Sequence, residues 1–274
     1  MRKIAIQGIR GSNHHIVANK YYGTDIALNE CLSFDVLTDN LLQGHADEAV
    51  MAIENTIAGS IIPNYALIDK HNLHIAGEYY LPIHHHLMAL PNQNMEAIKE
   101  VCSHPMALLQ CKEFFKKYPF IKLVEDVDTS AVAKTISEQQ LPGVAAIAPK
   151  IAADIFGLEV LEDEIQTMKD NETRFVILKT EAPENGIDQI DKASLRFELD
   201  HKRGSLATVL NIMSDCKLNL TKIQSLPIIE TPWKYAFFVD VTFQEYQDYQ
   251  KAKSVLEIMA NNFKILGEYK NGRL

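Results

Sequence analysis

Ile4-Ala5-Ile6-Gln7-Gly8-Ile9-Arg10-Gly11-Ser12 is the stretch on which the fold turns. Its apolar run is short enough for a buried strand, and its two glycines let the chain leave through a tight turn. Asn13 to Tyr22 follows with the spacing of a short helix. Ser33 to Leu37 reads as a second strand and Ala49 to Ile53 as a third, ending at Glu54-Asn55. Asn72 to Leu90 carries two extended runs in which Pro82 and Pro91 interrupt any helix. A second cycle begins at Val101-Cys102, and Pro105 opens a helix to about Lys117, proline being tolerated in a first helical turn. Ile121 to Val124 is a strand, and Asp128-Thr129-Ser130 caps a helix from Ala131 to Glu138. Gly143 to Ala148 is a buried strand, Pro149 starts another helix, and Thr173 to Lys179 is the last strand of this half. Strands alternating with helices predict an α/β fold with largely parallel pairing, in two lobes with a cleft between them. Ligands of such sheets bind outside the carboxyl ends of the strands.

The segment from Glu181 to Asp191 is polar and acidic and contains Pro183 and Gly186, so 182–191 is the best linker candidate. Beyond it, Ala193 to Leu199 reads as a strand, Ser205 to Asp215 as a helix, and Asn219 to Leu226 and Tyr235 to Val241 as strands. A helix from Phe243 to Asn261 and a strand from Phe263 to Glu268 complete a βαββαβ, ferredoxin-like order.

Composition narrows the class. With 47% hydrophobic and 23% charged residues, the 274-residue chain is a folded globular protein. A formal net charge of -9 repels nucleic acid and anionic membrane, and no basic block interleaved with aromatics offsets it. No stretch approaches the roughly 20 apolar residues of a membrane span, and the N-terminal apolar run is too short for a signal-peptide core. Cys31, Cys102, Cys111 and Cys216 form no C-x-x-C pair and read as reduced thiols of a cytoplasmic protein.

Polar groups stand at several strand-to-helix junctions: Gly11-Ser12, Asn55-Thr56 with Gly59-Ser60, Ser103-His104, Asp128-Thr129-Ser130, and Asn171-Glu172-Thr173-Arg174-Phe175. Free N–H groups and the positive helix end favour an anion there; singly, each is also an ordinary N-cap. Of His84-His85-His86, only His84 and His86 would share a strand face, and no Asp, Glu or Cys stands at zinc-site spacing, so the run reads as a partly exposed strand. No P-loop, G-x-G-x-x-G or G-x-S-x-G pattern occurs, and neither metal nor organic cofactor is expected.

These motifs, in this order, resemble the prephenate dehydratase family over nearly the whole length. They are Ile53-Glu54-Asn55-Thr56 with Gly59-Ser60, Ser103-His104-Pro105 with Ala107-Leu108 and Gln110-Cys111, Asp128-Thr129 with Ala131, Ala145-Ala146-Ile147-Ala148, and Asn171-x-Thr173-Arg174-Phe175. The resemblance implies a bilobed catalytic domain over 1–181, like type II periplasmic binding proteins, with lobes of about 1–92 plus 172–181 and of 93–171. It implies an ACT domain over 192–274. The implied reaction removes carbon dioxide and water from prephenate to give phenylpyruvate in phenylalanine biosynthesis, a carbon–oxygen lyase step. Thr173 is then the catalytic donor to the departing hydroxyl. Ser12, Asn55, Thr56, Gly59, Ser60, Thr129, Ser130, Arg174 and Phe175 are the expected substrate contacts, with Arg174 offering a carboxylate a bidentate fork.

Where the family favours Gly-Pro-x-Gly-Thr-Phe-Ser, the first turn here keeps both glycines and the small Ser12, while His14 inherits no role. In the ACT part, Gly204-Ser205-Leu206 matches Gly-Ala-Leu, Asn219-Leu220 fits, and Gln224-Ser225-Leu226-Pro227 replaces Glu-Ser-Arg-Pro without its charged pair. L-Phenylalanine is the expected effector, on Gly204, Ser205, Leu206, Asn219, Leu220, Gln224 and Ser225. The resemblance further implies a homodimer or homotetramer, and no chorismate mutase segment is expected ahead of Met1. Arogenate dehydratase shares the fold and motifs. A non-catalytic amino-acid sensor on the same scaffold is the alternative of another class, against which intact Thr173, Asn55 and Thr129 argue. A transport binding protein would carry an export signal and have no reason for an ACT domain.

Overall fold

The computed structural model describes residues 1–183, 186–228, 231 and 233–273; Glu184 and Asn185 of the expected linker lie outside the described residues. The chain runs through β1 (Arg2–Gln7), α1 (Asn13–Tyr22), β2 (Ile26–Cys31), α2 (Phe34–Leu42), β3 (Glu48–Asn55) and β4 (Gly59–Ser60). Next come α3 (Ile62–Lys70), β5 (His74–Pro82), β6 (His86–Ala89), β7 (Glu100–Ser103), α4 (Pro105–Phe115) and β8 (Lys122–Glu125). Then follow α5 (Thr129–Gln139), β9 (Val144–Ala148), α6 (Lys150–Phe156), β10 (Glu159–Glu162) and β11 (Glu172–Lys179). The last part is β12 (Lys192–Glu198), α7 (Ser205–Asp215), β13 (Asn219–Pro227), β14 (Tyr235–Thr242), α8 (Tyr246–Met259) and β15 (Asn261–Tyr269). Two compact units result: Met1–Ser60 with Tyr80–Phe175, and Ile61–Tyr79 with the residues from Val176 onward.

The first unit is a bilobed α/β structure. One lobe is built on a sheet of order β2-β1-β3-β11-β5, with the short β4 beside β3; the other is built on β10-β6-β9-β7-β8. Ser33 to Leu37 is not a strand: Ser33 accepts a hydrogen bond from the Val36 N–H at 3.2 Å and caps α2. Leu37, Thr38 and Leu41 then fall on the buried face of that helix. The second strand is β2, an edge strand whose half-buried residues lack strict alternation. Pairing is mixed rather than largely parallel. β7 runs parallel to β8 and β9, as helix-linked strands do. β6 runs against both β9 and β10, because the chain enters it directly from the first lobe rather than by a helical crossover. The passage between lobes therefore lies at Ile83–His85, ahead of the expected border near 92. The central strands β6 and β9 of the second lobe are buried on both faces. Leu87, Val101 and Ile147 pack with Leu108, Cys111 and Phe115 of α4; Met88, Ala146 and Ala148 pack with Val132 and Ile136 of α5.

The second unit holds the βαββαβ segment as an antiparallel sheet of order β13-β14-β12-β15. Alternation along β12 sends Ala193, Leu195 and Phe197 into a core with Val209 and Met213 of α7 and Tyr249 and Leu256 of α8. α8 begins at Tyr246 rather than Phe243, since Phe243 is buried in that core and stacks on Tyr249 at 4.7 Å. On the other face of β12, Lys192, Ser194 and Arg196 are also buried. They are covered by α3, which the sequence reading did not identify, and by β5, the first of the two extended runs expected between Asn72 and Leu90. Lys192 Nζ donates to both Glu78 carboxylate oxygens at 2.9 Å, Arg196 Nε to Asp69 at 3.1 Å, and Lys264 Nζ to Asp69 at 2.7 Å. Among the described residues no helix is long and apolar enough to cross a membrane.

Candidate active site

β3 ends at Asn55, which opens a hairpin to β4 with Asn55 opposite Gly59 and Glu54 opposite Ser60. The Asn55 Oδ1 accepts from the Ile57 and Ala58 N–H groups at 3.0 and 2.8 Å. With its oxygen pinned by two backbone donors, the amide can only donate through Nδ2. That nitrogen lies 3.0 Å from Thr173 Oγ1, 2.7 Å from Asn171 Oδ1 and 3.2 Å from the Glu172 carbonyl. Thr173 is buried at 8% exposure. Its oxygen accepts from Asn55, so its own proton is directed elsewhere. Thr56 is exposed and ties the hairpin to β11: its N–H donates to the Glu172 carbonyl at 2.9 Å, and its hydroxyl accepts from Glu172 N at 3.0 Å. Gly59 is exposed and Ser60 half-buried beside it.

The hydrogen bonds continue into the second lobe. Asn171 Nδ2 donates to Gln110 Oε1 at 2.9 Å, and the same oxygen lies 2.7 Å from His85 Nε2. Asn171, Gln110 and His85 were not among the expected site residues. Asn171 and Gln110 do stand inside the family-like motifs, which was the available signal; His85 had only the histidine run. That run is not a partly exposed strand, since His85 and His86 are buried and only His86 lies in β6. His84 and His86 instead face Glu164 and Asp163, at 3.3 and 2.9 Å. Among the described residues no group of three or more His, Cys, Asp or Glu is arranged to hold a metal ion.

Along β11, alternation places Thr173 and Phe175 on one face and Arg174 on the other, where it is buried. The Phe175 ring meets the edge of His14 at 4.9 Å, and Phe34 lies 5.7 Å from the same imidazole. His14 Nε2 accepts from the Ala52 N–H at 3.3 Å. Burial among these groups drives the His14 pKa down to about 3, so the ring is neutral. A histidine expected to inherit no role thus packs against Phe175, on the same face of β11 as Thr173.

The N-termini of α1 and α5 meet at Gly8. Its φ of +85° suits glycine, and a Cβ there would lie 2.7 Å from Asp128 Oδ2 and 3.5 Å from Ser12 Cβ. Both helix ends carry side-chain caps. Ser12 accepts from His15 N at 3.3 Å, and Asp128 Oδ1 accepts from Ser130 N and Ala131 N at 2.9 and 2.8 Å. Burial pushes the Asp128 carboxyl pKa upward, against the pull of those two N–H groups. Thr129 is half-buried, and the Ser130 hydroxyl is buried with no hydrogen-bond partner among the described residues.

The expected effector residues fall in separate places. Gly204, at φ +85°, precedes α7, and Ser205 and Leu206 line a cavity of about 140 Å³ with Lys202, Trp233 and Phe237. Asn219 lines a different cavity, of about 1200 Å³, beside Tyr246 and Asp248. Leu220, Gln224 and Ser225 lie along edge strand β13, where Gln224 Nε2 donates to the Ser225 carbonyl at 3.0 Å. Ser205 and Leu206 share one cavity, and that cavity includes none of the β13 residues.

Known proteins place this arrangement. The family model described as prephenate dehydratase matches residues 4–183. An Arabidopsis thaliana protein, arogenate dehydratase/prephenate dehydratase 2, chloroplastic, is 35% identical over 97% of this chain and 72% of its own length. The bifunctional chorismate mutase/prephenate dehydratase of Escherichia coli K12 is 32% identical over 97% of this chain and 70% of its own. A crystal structure of prephenate dehydratase from Arthrobacter aurescens in complex with L-Phe superposes with a TM-score of 0.88, at 26% identity, covering 99% of this chain and 90% of that one. With Asn55 and Thr173 joined in one hydrogen-bonded cluster and a family match across most of the chain, this protein belongs to the prephenate dehydratase family of carbon–oxygen lyases.

Proposed function

We propose that the chain converts prephenate to phenylpyruvate, with Thr173 donating a hydrogen bond to the departing ring oxygen. As the carboxylate leaves as carbon dioxide, its bonding electrons enter the ring and expel the hydroxyl, which must gain a proton to depart as water. A threonine hydroxyl is too weak an acid to be a well-matched proton donor at neutral pH, so its contribution is stabilisation of developing charge. The observation that carries this reading is the pinned Asn55 amide, which fills an acceptor position on Thr173 Oγ1 and leaves the proton for the substrate. Ser12, Asn55, Thr56, Gly59, Ser60, Thr129, Ser130 and Phe175 are the substrate contacts in this proposal. Arg174, buried on the face of β11 opposite Thr173, supplies positive potential for a carboxylate from behind the strand in this proposal; Arg174→Lys is expected to raise KM with turnover unchanged.

Removing one such donor costs about 10²–10³ in turnover. Thr173→Ala should lose that much, and Thr173→Ser should retain part of it; full turnover in Thr173→Ala would refute the role. The assay is phenylpyruvate absorbance in alkali after mixing with prephenate. The second reading, arogenate as substrate, is favoured by the curated relatives named arogenate dehydratase, including one from Petunia hybrida at 36% identity. Parallel assays with both substrates decide between them.

The βαββαβ segment is in this proposal an ACT domain that binds L-phenylalanine, a reading supported by the element order and by the L-Phe named with the Arthrobacter protein. We assign the enzyme to the cytoplasm as a homodimer or homotetramer. Seven effector residues spread over separate surfaces favour a site completed by a second copy. Isothermal titration with phenylalanine, tyrosine and tryptophan tests the sensing role, and silence for all three sinks it.

A further inference from the structure

We propose that His85 is a positioning residue for the reaction, holding in order the hydrogen-bond chain that keeps the Thr173 proton directed at the leaving oxygen. This rests on the reading of Thr173 given above. The chain has only one consistent direction. Asn55 cannot turn over, because the Ile57 and Ala58 N–H groups hold its oxygen. Asn171 must then offer Oδ1 to Asn55 and Nδ2 to Gln110, and Gln110 must offer Oε1. That oxygen lies between two donors, Asn171 Nδ2 at 2.9 Å and His85 Nε2 at 2.7 Å. The imidazole therefore carries its proton on Nε2.

A second observation agrees. His85 Nδ1 is buried and has no hydrogen-bond partner among the described residues, as befits a bare lone pair rather than an N–H. An orphaned buried acceptor is costly, and its persistence calls for a reason. The ring has little freedom to escape, because its backbone is fixed on both sides: the His85 N–H donates to Gln166 Oε1 at 2.9 Å, and its carbonyl accepts from Ile165 N at 2.8 Å. Burial also holds the His85 pKa below the usual histidine value, keeping the ring neutral. Without the His85 donor, Gln110 loses one of two reasons to point its oxygen inward. If that amide turns, Asn171 must turn with it, and two NH₂ groups then face each other beside Thr173. His85 lies where the chain passes between the lobes, so this order spans both of them.

The test is a double-mutant cycle on kcat for the substrate turned over, with His-selective ¹⁵N NMR of the wild-type enzyme. His85→Phe keeps the ring and removes the donor, whereas His85→Gln restores an N–H at the end of a side chain of similar reach. Expected are an Nε2–H tautomer in the wild type, a fall in kcat of about 10- to 100-fold in His85→Phe with KM nearly unchanged, and recovery to within about 3-fold in His85→Gln. In a Thr173→Ala background, His85→Phe should cost nothing further, since it acts through that hydroxyl. An Nδ1–H tautomer, wild-type kcat in His85→Phe, or an undiminished cost in the Thr173→Ala background overturns the proposal. The tautomer measurement stands even if His85→Phe does not fold. Full activity in Thr173→Ala would instead remove the reading on which the proposal rests.

Discussion

Lowering the pH from 8 to 5 should destabilise this protein through His14 by an amount the structure specifies. The His14 pKa is held at about 3 by burial, against about 6.5 in the unfolded chain. Between those values the unfolded state binds the additional proton, so stability rises with pH in that window and is level above it. At pH 5 the lost stability is RT ln(1 + 10^1.5), about 2 kcal/mol, and any folded value below about 4 changes this figure little. Burial likewise lowers His15, His85 and His86 and adds slope of the same sign, so the reference must be a variant rather than a flat line. His14→Gln serves: its amide oxygen can still accept from Ala52 N, and it does not titrate. Urea unfolding followed by circular dichroism is the assay, because the single tryptophan, Trp233, lies in the second unit. The wild type should lose about 2 kcal/mol more than the variant between pH 8 and pH 5. Parallel pH profiles, or a His14 ring seen by NMR to titrate above pH 5, would refute the reasoning.

Two further perturbations probe the joints of the fold. Lys192→Met removes the cation that donates to both oxygens of the buried Glu78 carboxylate and should destabilise the second unit by about 3–5 kcal/mol, while Glu78→Leu with Lys192→Met together should cost less in thermal unfolding. Equal losses in the single and double variants would mean that the pair is needed as such. Gly8→Ala meets both an unfavourable φ of +85° and the Asp128 carboxylate, so kcat/KM should fall at least about 10-fold; unchanged kinetics would mean that the ends of α1 and α5 do not meet in the working enzyme.

Much of the fold was legible because its signals are local. The core strands β1, β3, β9 and β11 are near-continuous apolar runs, as buried strands must be. Prolines at 105 and 149 and the capping Ser12 mark helix starts, and α1 and α7 fall where their spacing put them. Asn55 and Thr173 were also legible, through motifs whose order resembles a family. Local signals failed where the competing structures shared them. Ser33 to Leu37 has the apolar content of a strand, but a capping serine and burial at helical spacing made it a helix.

The sequence by itself determined the α/β character of the first lobes and the βαββαβ order. The tertiary structure alone decided which polar groups meet. Asn55 and Thr173 are separated by 118 residues, and His85 and Gln110 by 25. Lys192, Ser194 and Arg196 hold the alternate positions of a strand that periodicity assigns to solvent, yet Asp69 and Glu78 cover that face. The reason is physical. Periodicity records which face of an element is apolar, whereas the partner of a polar side chain depends on which distant backbone is brought within about 3 Å of it.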